Sequence, residues 1–291
     1  MIINSPAKIN LTLDVLGRFP NGYHELETIM SLIGLCDTLE IIIKNGSPEI
    51  KLFCDYDYKA QEIPEKENLV YRAAALINEY DKKKIIINLY KRIPIGGGLG
   101  GGSSNGAAVL YWINKILDLK ISYNKLSEYA FSLGADAPFF LYCLENKINT
   151  AFAKGVGEKL SSLDAPEVFF IIIIPNIFAS TREVFRAYKL SPPRYSSQKM
   201  SELLRKGGTK KNFLDFLSVL HNDLAPSAFE LFPDLKKILD VLAQENSYDI
   251  MNAVMSGSGS TFFACYDSLE ARSKALKRLS SRLLDCLCLE V

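Results

Sequence analysis

Ala7, Ile9, Leu11, Leu13 and Val15 alternate with Lys8, Asn10, Thr12 and Asp14, up to Gly17 and the turn Pro20-Asn21-Gly22. Strict alternation puts the two sets on opposite faces, so the segment reads as a two-faced strand. The same pattern places strands at residues 38–43, 49–54 and 85–90, whereas 69–80 and 107–117 carry helical spacing. In the second half a continuous apolar run at 168–174 reads as a buried strand, and 214–220 and 235–242 read as helices. Val254 and residues 261–266 bracket a glycine-serine turn. Strands and helices mix without a regular βαβ repeat, so the expected class is α+β, with a change of domain near residue 160 that gives 1–160 and 161–291. Residues 190–211 are polar and turn-rich and read as a surface excursion.

One stretch breaks this alternation of elements. Pro94-Ile95-Gly96-Gly97-Gly98-Leu99-Gly100-Gly101-Gly102-Ser103-Ser104 stands between the apolar strand at 85–90 and the helix that Ala107 continues. Glycines permit positive φ and remove Cβ atoms from the path of a bulky anion, and the serines cap a helix whose first amides point at it. The loop therefore reads as a phosphate cradle. Gly96, Gly98 and Gly101 also satisfy the dinucleotide spacing G-x-G-x-x-G, but Asp118 at the matching offset follows a helix rather than ending a strand. No lysine follows the last glycine, which excludes the P-loop pattern.

Composition narrows the partners. A chain of 291 residues buries about three quarters of its unfolded surface, enough for full cores without staples. Thirty-four basic against 33 acidic residues give a net charge of +1, which disfavours a nucleic-acid partner. The six cysteines lack C-x-x-C spacing and read as small apolar residues. The opening residues lack a basic segment followed by an apolar one, and no apolar run is long enough to span a bilayer, so a cytoplasmic address is expected.

Three further places hold candidate chemistry. Asp136, in Gly134-Ala135-Asp136-Ala137-Pro138, is either a turn or helix cap or a partly desolvated acid. Lys8 is either a solvated residue on an outer strand face or, sharing a face with Asn10, a cation that orients a hydroxyl or phosphate. Ser256-Gly257-Ser258-Gly259-Ser260-Thr261 is either a plain hairpin turn or a second backbone surface for the same anion. Of the two histidines, His221 precedes Asn222 and Asp223 in a helix-start pattern, while His24 follows a turn and lines a cleft in one reading.

The segments Ser5 to Leu11, Pro94 to Ser104 and Ser256 to Gly259, in this order, resemble the three motifs of the galactokinase, homoserine kinase, mevalonate kinase and phosphomevalonate kinase (GHMP) superfamily. Gly22-Tyr23-His24-Glu25-Leu26-Glu27-Thr28, the doubled Gly-Gly-Gly and the Asp136 motif sharpen the resemblance to the branch whose substrate carries a cytidine diphosphate group. The resemblance implies an N-terminal domain similar to the second domain of ribosomal protein S5 and a ferredoxin-like C-terminal domain, with the substrate cleft between them. It implies ATP as co-substrate, Mg²⁺ on the phosphates, and transfer of the γ-phosphate to an alcohol, with Lys8 and Asp136 as the catalytic pair. Asn10, Tyr23, His24, Thr181 and Phe185 become substrate-binding residues, Phe185 by stacking on cytosine, together with Gly257, Ser258 and Gly259. A small-molecule kinase, monomeric or homodimeric and without a membrane partner, is the expectation. Two departures stand out: Gly106 where the family usually has alanine, and no glycine in 141–149 ahead of Thr150-Ala151-Phe152-Ala153.

Overall fold

The computed structural model describes residues 1–57, 63–165, 168–192, 195–205, 215, 217, 219–245 and 252–291. Parts of the expected helix at 214–220 and of the expected excursion at 190–211 lie outside the described residues. The chain forms two compact units, one of residues 1–8, 32–95 and 100–149, the other of 9–31, 96–99 and 150–291. Two long strands, β1 (Ile2–Arg18) and β2 (His24–Lys44), contribute to both: β1 passes into the second unit after Lys8 and β2 returns after Ser31.

In the first unit β3 (Glu49–Tyr56) runs parallel to β4 (Lys84–Lys91), which pairs antiparallel with β2 from Thr38↔Tyr90 to Lys44↔Lys84. The helices are α1 (Leu69–Asn78), α2 (Gly101–Ile116), α3 (Tyr123–Leu133) and α4 (Ala137–Asn146). Ile85, Ile87 and Leu89 of β4 are buried, as are Val70, Ala73, Ala74 and Ile77 of α1 and Ala107 to Leu110 of α2. The α1 set is the 3.6-residue stripe the sequence showed, whereas α2 is buried on all sides from 107 to 110. Asn68 caps α1 by accepting from Val70 N (2.9 Å), and Ser122 caps α3. The unusual glycine at 106 has a reason here: a Cβ would stand 3.2 Å from Leu133 Cδ1 and 3.4 Å from Leu69 O, tighter than ordinary contact. The missing glycine in 141–149 has one too, since Lys147 itself takes the left-handed position (φ 55°, ψ 47°) that ends α4.

The second unit holds β5 (Thr150–Gly155), β6 (Lys159–Leu163) and a separate antiparallel sheet. That sheet contains β7 (Phe169–Pro175), β9 (Asn252–Met255), β10 (Phe262–Tyr266) and β11 (Cys286–Glu290), in the order β11-β7-β10-β9. The short β8 (His221–Asn222) pairs parallel with β1. The helices are α5 (Thr181–Ala187), α6 (Ser196–Arg205), α7 (Ala225–Leu231), α8 (Pro233–Glu245) and α9 (Leu269–Arg282). Leu235, Ile238 and Leu242 of α8 and Ala271, Ala275 and Leu279 of α9 share one core with Ile171, Ile173, Phe262, Ala264 and Tyr266 of the sheet. Two sheets with helices fit the expected α+β class. Within the expected excursion, 196–205 is a helix with Ser197, Met200, Ser201 and Leu204 buried, so that portion is docked rather than projecting. Among the described residues no helix is long and apolar enough to cross a membrane.

The polar face of β1 departs from the usual half-solvated strand. Lys8, Asn10, Thr12 and Asp14 are all buried, at 3%, 3%, 0% and 0% exposure. A buried polar group needs a partner, and each of these has one inside the protein. Thr12 Oγ1 accepts from Ile29 N at 3.2 Å, and Asp14 accepts from Ser196 N and Ser197 N at 3.2 and 2.6 Å. Alternation along a strand identifies the polar face, and the fold decides whether water or protein satisfies it.

Candidate active site

In the first unit, Lys8 Nζ lies 3.5 Å from Asp136 Oδ2; the lysine side chain is 4% exposed and the aspartate 40%. Asp136 occupies the N-cap position of α4, yet its side chain makes no capping bond. The helix-cap alternative is therefore removed, and the carboxylate faces the ammonium. Gly100 (φ 69°) is the N-cap of α2, and a Cβ on it would stand 3.0 Å from the Phe140 ring and 3.2 Å from Lys8 Cγ. Glycine at 100 thus lets the start of α2 come down onto the stem of Lys8. The first intrahelical bond runs from Ser104 N to Gly100 O, which leaves the amides of Gly101, Gly102 and Ser103 unused by the helix, and no side chain caps them. This is the arrangement that binds anions. Ser104 Oγ shares a 2.6 Å hydrogen bond with Ser5 Oγ, joining the first motif to the second.

In the second unit, the first half of the glycine loop meets the glycine-serine turn. A Cβ at Gly98 (φ 76°) would lie 2.7 Å from Ser256 O and 3.0 Å from Gly259 O, and one at Gly97 would lie 2.8 Å from Thr261 Oγ1. A Cβ at Gly96 would overlap the Phe178 ring. Only glycine lets these two backbone segments touch. The turn is tied further: Ser256 Oγ accepts from Asn10 N at 3.1 Å, and Ser258 Oγ is 2.8 Å from Thr181 Oγ1. Asn10 also donates through Nδ2 to Thr28 Oγ1 at 2.9 Å.

Sequence reasoning passed over the residue that fixes this turn. Asn222 Nδ2 donates to Met255 O (2.6 Å) and Gly257 O (2.7 Å) while its Oδ1 accepts from Leu224 N (2.9 Å). One buried amide thus clamps the turn and starts the chain into α7. Asn222→Ala leaves two carbonyls and an amide without partners, and each buried orphan costs about 1–3 kcal/mol. The expected loss is about 3 kcal/mol, read as a lower midpoint of urea unfolding; an unchanged midpoint removes Asn222 as the clamp.

His24 packs against Phe185, with ring centroids 5.0 Å apart and planes at 37°, and edge-on to Tyr188 at 6.2 Å. Tyr23 beside it is 54% exposed, while Tyr23 N donates to Asn21 Oδ1. Burial first, and then the Arg18 guanidinium, hold His24 below its ordinary pKa of 6.5. The sign follows from linkage: below 6.5 the unfolded chain takes up a proton that the folded ring refuses, so this stabilisation is present above 6.5 and lost as pH falls toward the folded value. His24→Gln should flatten the stability profile on the acid side of 6.5, and an unaltered slope there contradicts it. His221, by contrast, pairs through Nε2 with Asp223 Oδ1 at 2.6 Å, and Asp223 Oδ2 accepts from Val15 N at 2.8 Å. With Asp14 these form the set of metal-type ligands among the described residues, but three of their carboxylate oxygens already serve backbone amides and the fourth the His221 ring.

Cys143 and Cys265 are buried, and burial pushes the Cys143 thiol up to about 12, which makes it a poor nucleophile.

Residues 68–143 match the N-terminal domain of the GHMP kinases and residues 200–285 match their C-terminal domain. The 4-diphosphocytidyl-2-C-methyl-D-erythritol kinase of Citrifermentans bemidjiense is 35% identical over 280 residues, covering 95% of this chain and 93% of that protein. That of Geobacter sulfurreducens is 33% identical over 288 residues, with 97% and 95% covered. A crystal structure of 4-(cytidine 5'-diphospho)-2C-methyl-D-erythritol kinase superposes with a TM-score of 0.76 at 31% identity, over 100% of this chain and 98% of that one. A domain match at both ends and full-length relatives above 30% identity lead to one conclusion: the chain belongs to the GHMP kinases, in the family of the 4-diphosphocytidyl-2-C-methyl-D-erythritol kinases.

Proposed function

We propose that the chain transfers the γ-phosphate of ATP to the 2-hydroxyl of 4-(cytidine 5'-diphospho)-2-C-methyl-D-erythritol, a step of non-mevalonate isoprenoid precursor synthesis. The observation that carries this reading is the Lys8–Asp136 pair, whose lysine stem lies against the glycine that begins α2 and its free amides. Asp136 accepts or orients the proton of the attacking hydroxyl. Lys8, 3.5 Å from that carboxylate, offsets charge on the oxygen as the proton leaves. The amides of 101–103, with the loop from Pro94 to Ser104, hold the triphosphate. Little covalent chemistry is asked of the protein in such a transfer, so positioning dominates the rate.

The cytidyl end of the substrate falls to Tyr23, His24 and Phe185, with the base stacked on Phe185, and to Asn10, Thr181 and the 257–259 turn. The His24–Phe185 ring contact supports an aromatic subsite, and the Thr181–Ser258 hydrogen bond supports one cluster of polar groups. In this reading residues 1–160 carry ATP binding and 161–291 complete the substrate side, in the cytoplasm. Mg²⁺, when bound, neutralises phosphate oxygens. The oxygen donor that would reach it is the Ser104 hydroxyl on the first turn of α2.

ADP release measured side by side with the diphosphocytidyl alcohol, mevalonate and homoserine tests the assignment. Turnover confined to the cytidyl substrate is expected. Faster turnover of either of the other two overturns the substrate, though not the family.

A further inference from the structure

Asp37 is buried at 0% exposure within the first unit, and its carboxylate gathers four donors. Oδ1 accepts from Arg92 N at 2.7 Å and Ile93 N at 2.8 Å; Oδ2 accepts from Asn105 Nδ2 at 2.9 Å and from the Lys91 ammonium. The sheet explains the first two. The β2–β4 ladder ends at Thr38↔Tyr90, and one step further the Asp37 side chain takes over the amides that a strand partner would have bonded. Lys91, Arg92 and Ile93 are the last residues before the Pro94 loop, and Asn105 follows Ser104, the loop's last residue. One carboxylate is therefore bonded to the chain on both sides of the phosphate loop.

Such a loop needs external anchoring. Its six glycines carry the largest backbone entropy of any residue, so its shape depends on contacts from outside it, at its ends as well as along Gly96 to Gly98. Lys91 sharpens the point, because a Cβ on Gly101 would stand 3.1 Å from Lys91 Nζ, placing the ammonium close behind the first residue of α2. A cation there opposes the helix dipole, and the Asp37 charge offsets it. A buried ion pair is poor evidence of added stability, whereas a carboxylate that also holds three neutral donors fixes geometry.

We propose that Asp37 is a positioning residue for phosphoryl transfer, clamping both ends of the Pro94–Ser104 loop so that the first amides of α2 are held beside Lys8. This rests on the kinase reading above, and ATP binding without acceptor separates the two. Asn105→Ala cuts the tie to α2 and leaves the Lys91, Arg92 and Ile93 bonds in place. By calorimetry it should weaken ATP binding about tenfold, the scale of one charge-assisted hydrogen bond, and raise the KM for ATP in parallel, with the acceptor KM within about twofold. Asp37→Asn should lose more, and the exchanged double variant Asp37→Asn/Asn105→Asp, which returns one carboxylate to the cluster, should recover part of that loss. Wild-type ATP affinity in Asn105→Ala overturns the clamp, as does a loss shared equally by both KM values or an exchange that recovers nothing. If Asp37→Asn does not fold, Asn105→Ala decides alone. A wild-type protein that binds ATP, is weakened by Asn105→Ala and yet leaves the diphosphocytidyl alcohol untouched sinks the substrate assignment while the clamp stands.

Discussion

Asp136→Asn should lower kcat by about a thousandfold, within the range that general-base assistance supplies, while the KM for ATP moves by less than about threefold. The split follows from the geometry. The carboxylate makes no capping bond to α4, so an amide of the same shape leaves that helix start as it was. The amides at the start of α2 belong to another element and are untouched by the change. What is lost is the acceptor for the hydroxyl proton and the negative partner of Lys8, 3.5 Å away. Steady-state kinetics with both substrates varied, alongside circular dichroism, checks it. Turnover within tenfold of wild type would take Asp136 out of the chemistry.

Gly98→Ala should cost at least about a hundredfold in kcat/KM for ATP, the penalty expected when reacting groups are displaced by about an ångström. Two effects act together. The backbone at 98 has φ 76°, in the left-handed region that L side chains rarely occupy, and the added Cβ would press to 2.7 Å on Ser256 O and 3.0 Å on Gly259 O. Both opposing atoms are backbone, so neither can swing away as a side chain would. Gly102→Ala is the contrast: its Cβ meets nothing nearer than Leu69 Cδ1 at 3.5 Å, and a much smaller loss is expected. Equal losses in the two variants would show that glycine is needed along the whole loop for flexibility rather than at 98 for the close approach.

The elements were largely legible because their periodicity is strong. The strand read at 85–90 is β4 at Lys84–Lys91, the helix read at 69–80 is α1 at Leu69–Asn78, and the glycine-serine turn does join β9 to β10. The helix expected from 107 begins earlier, at Gly101, because glycines without an apolar stripe give no periodic signal although their backbone is already helical. β5 and β6 passed unnoticed: Thr150-Ala151-Phe152-Ala153 is mostly small residues, and its strand character comes from pairing with Leu26 to Ser31.

The site divides in the same way. The glycine loop announces itself locally, because its glycines are consecutive in the sequence. Lys8 and Asp136 are ordinary residues 128 positions apart, and the pattern left each with two readings that only three-dimensional proximity separates. Asp37 was missed altogether, and Asn222 was read only as part of a helix start, not as the clamp on the glycine-serine turn. The available signal was a single acid inside Leu35-Cys36-Asp37-Thr38-Leu39, a run otherwise bound for the interior, where an unpaired carboxylate would be costly. Such a residue implies a partner without saying where in the chain that partner lies.

The claim on which the rest depends is that this ammonium–carboxylate pair, beside the amides of α2, moves a phosphoryl group onto an alcohol. Phosphorus NMR of the wild-type protein with ATP, Mg²⁺ and the diphosphocytidyl alcohol tests it most directly. The account predicts one new phosphomonoester resonance growing in step with ADP, and neither signal growing at a comparable rate with Asp136→Asn. ATP loss that yields only inorganic phosphate, or a phosphomonoester formed equally fast by the variant, would contradict it.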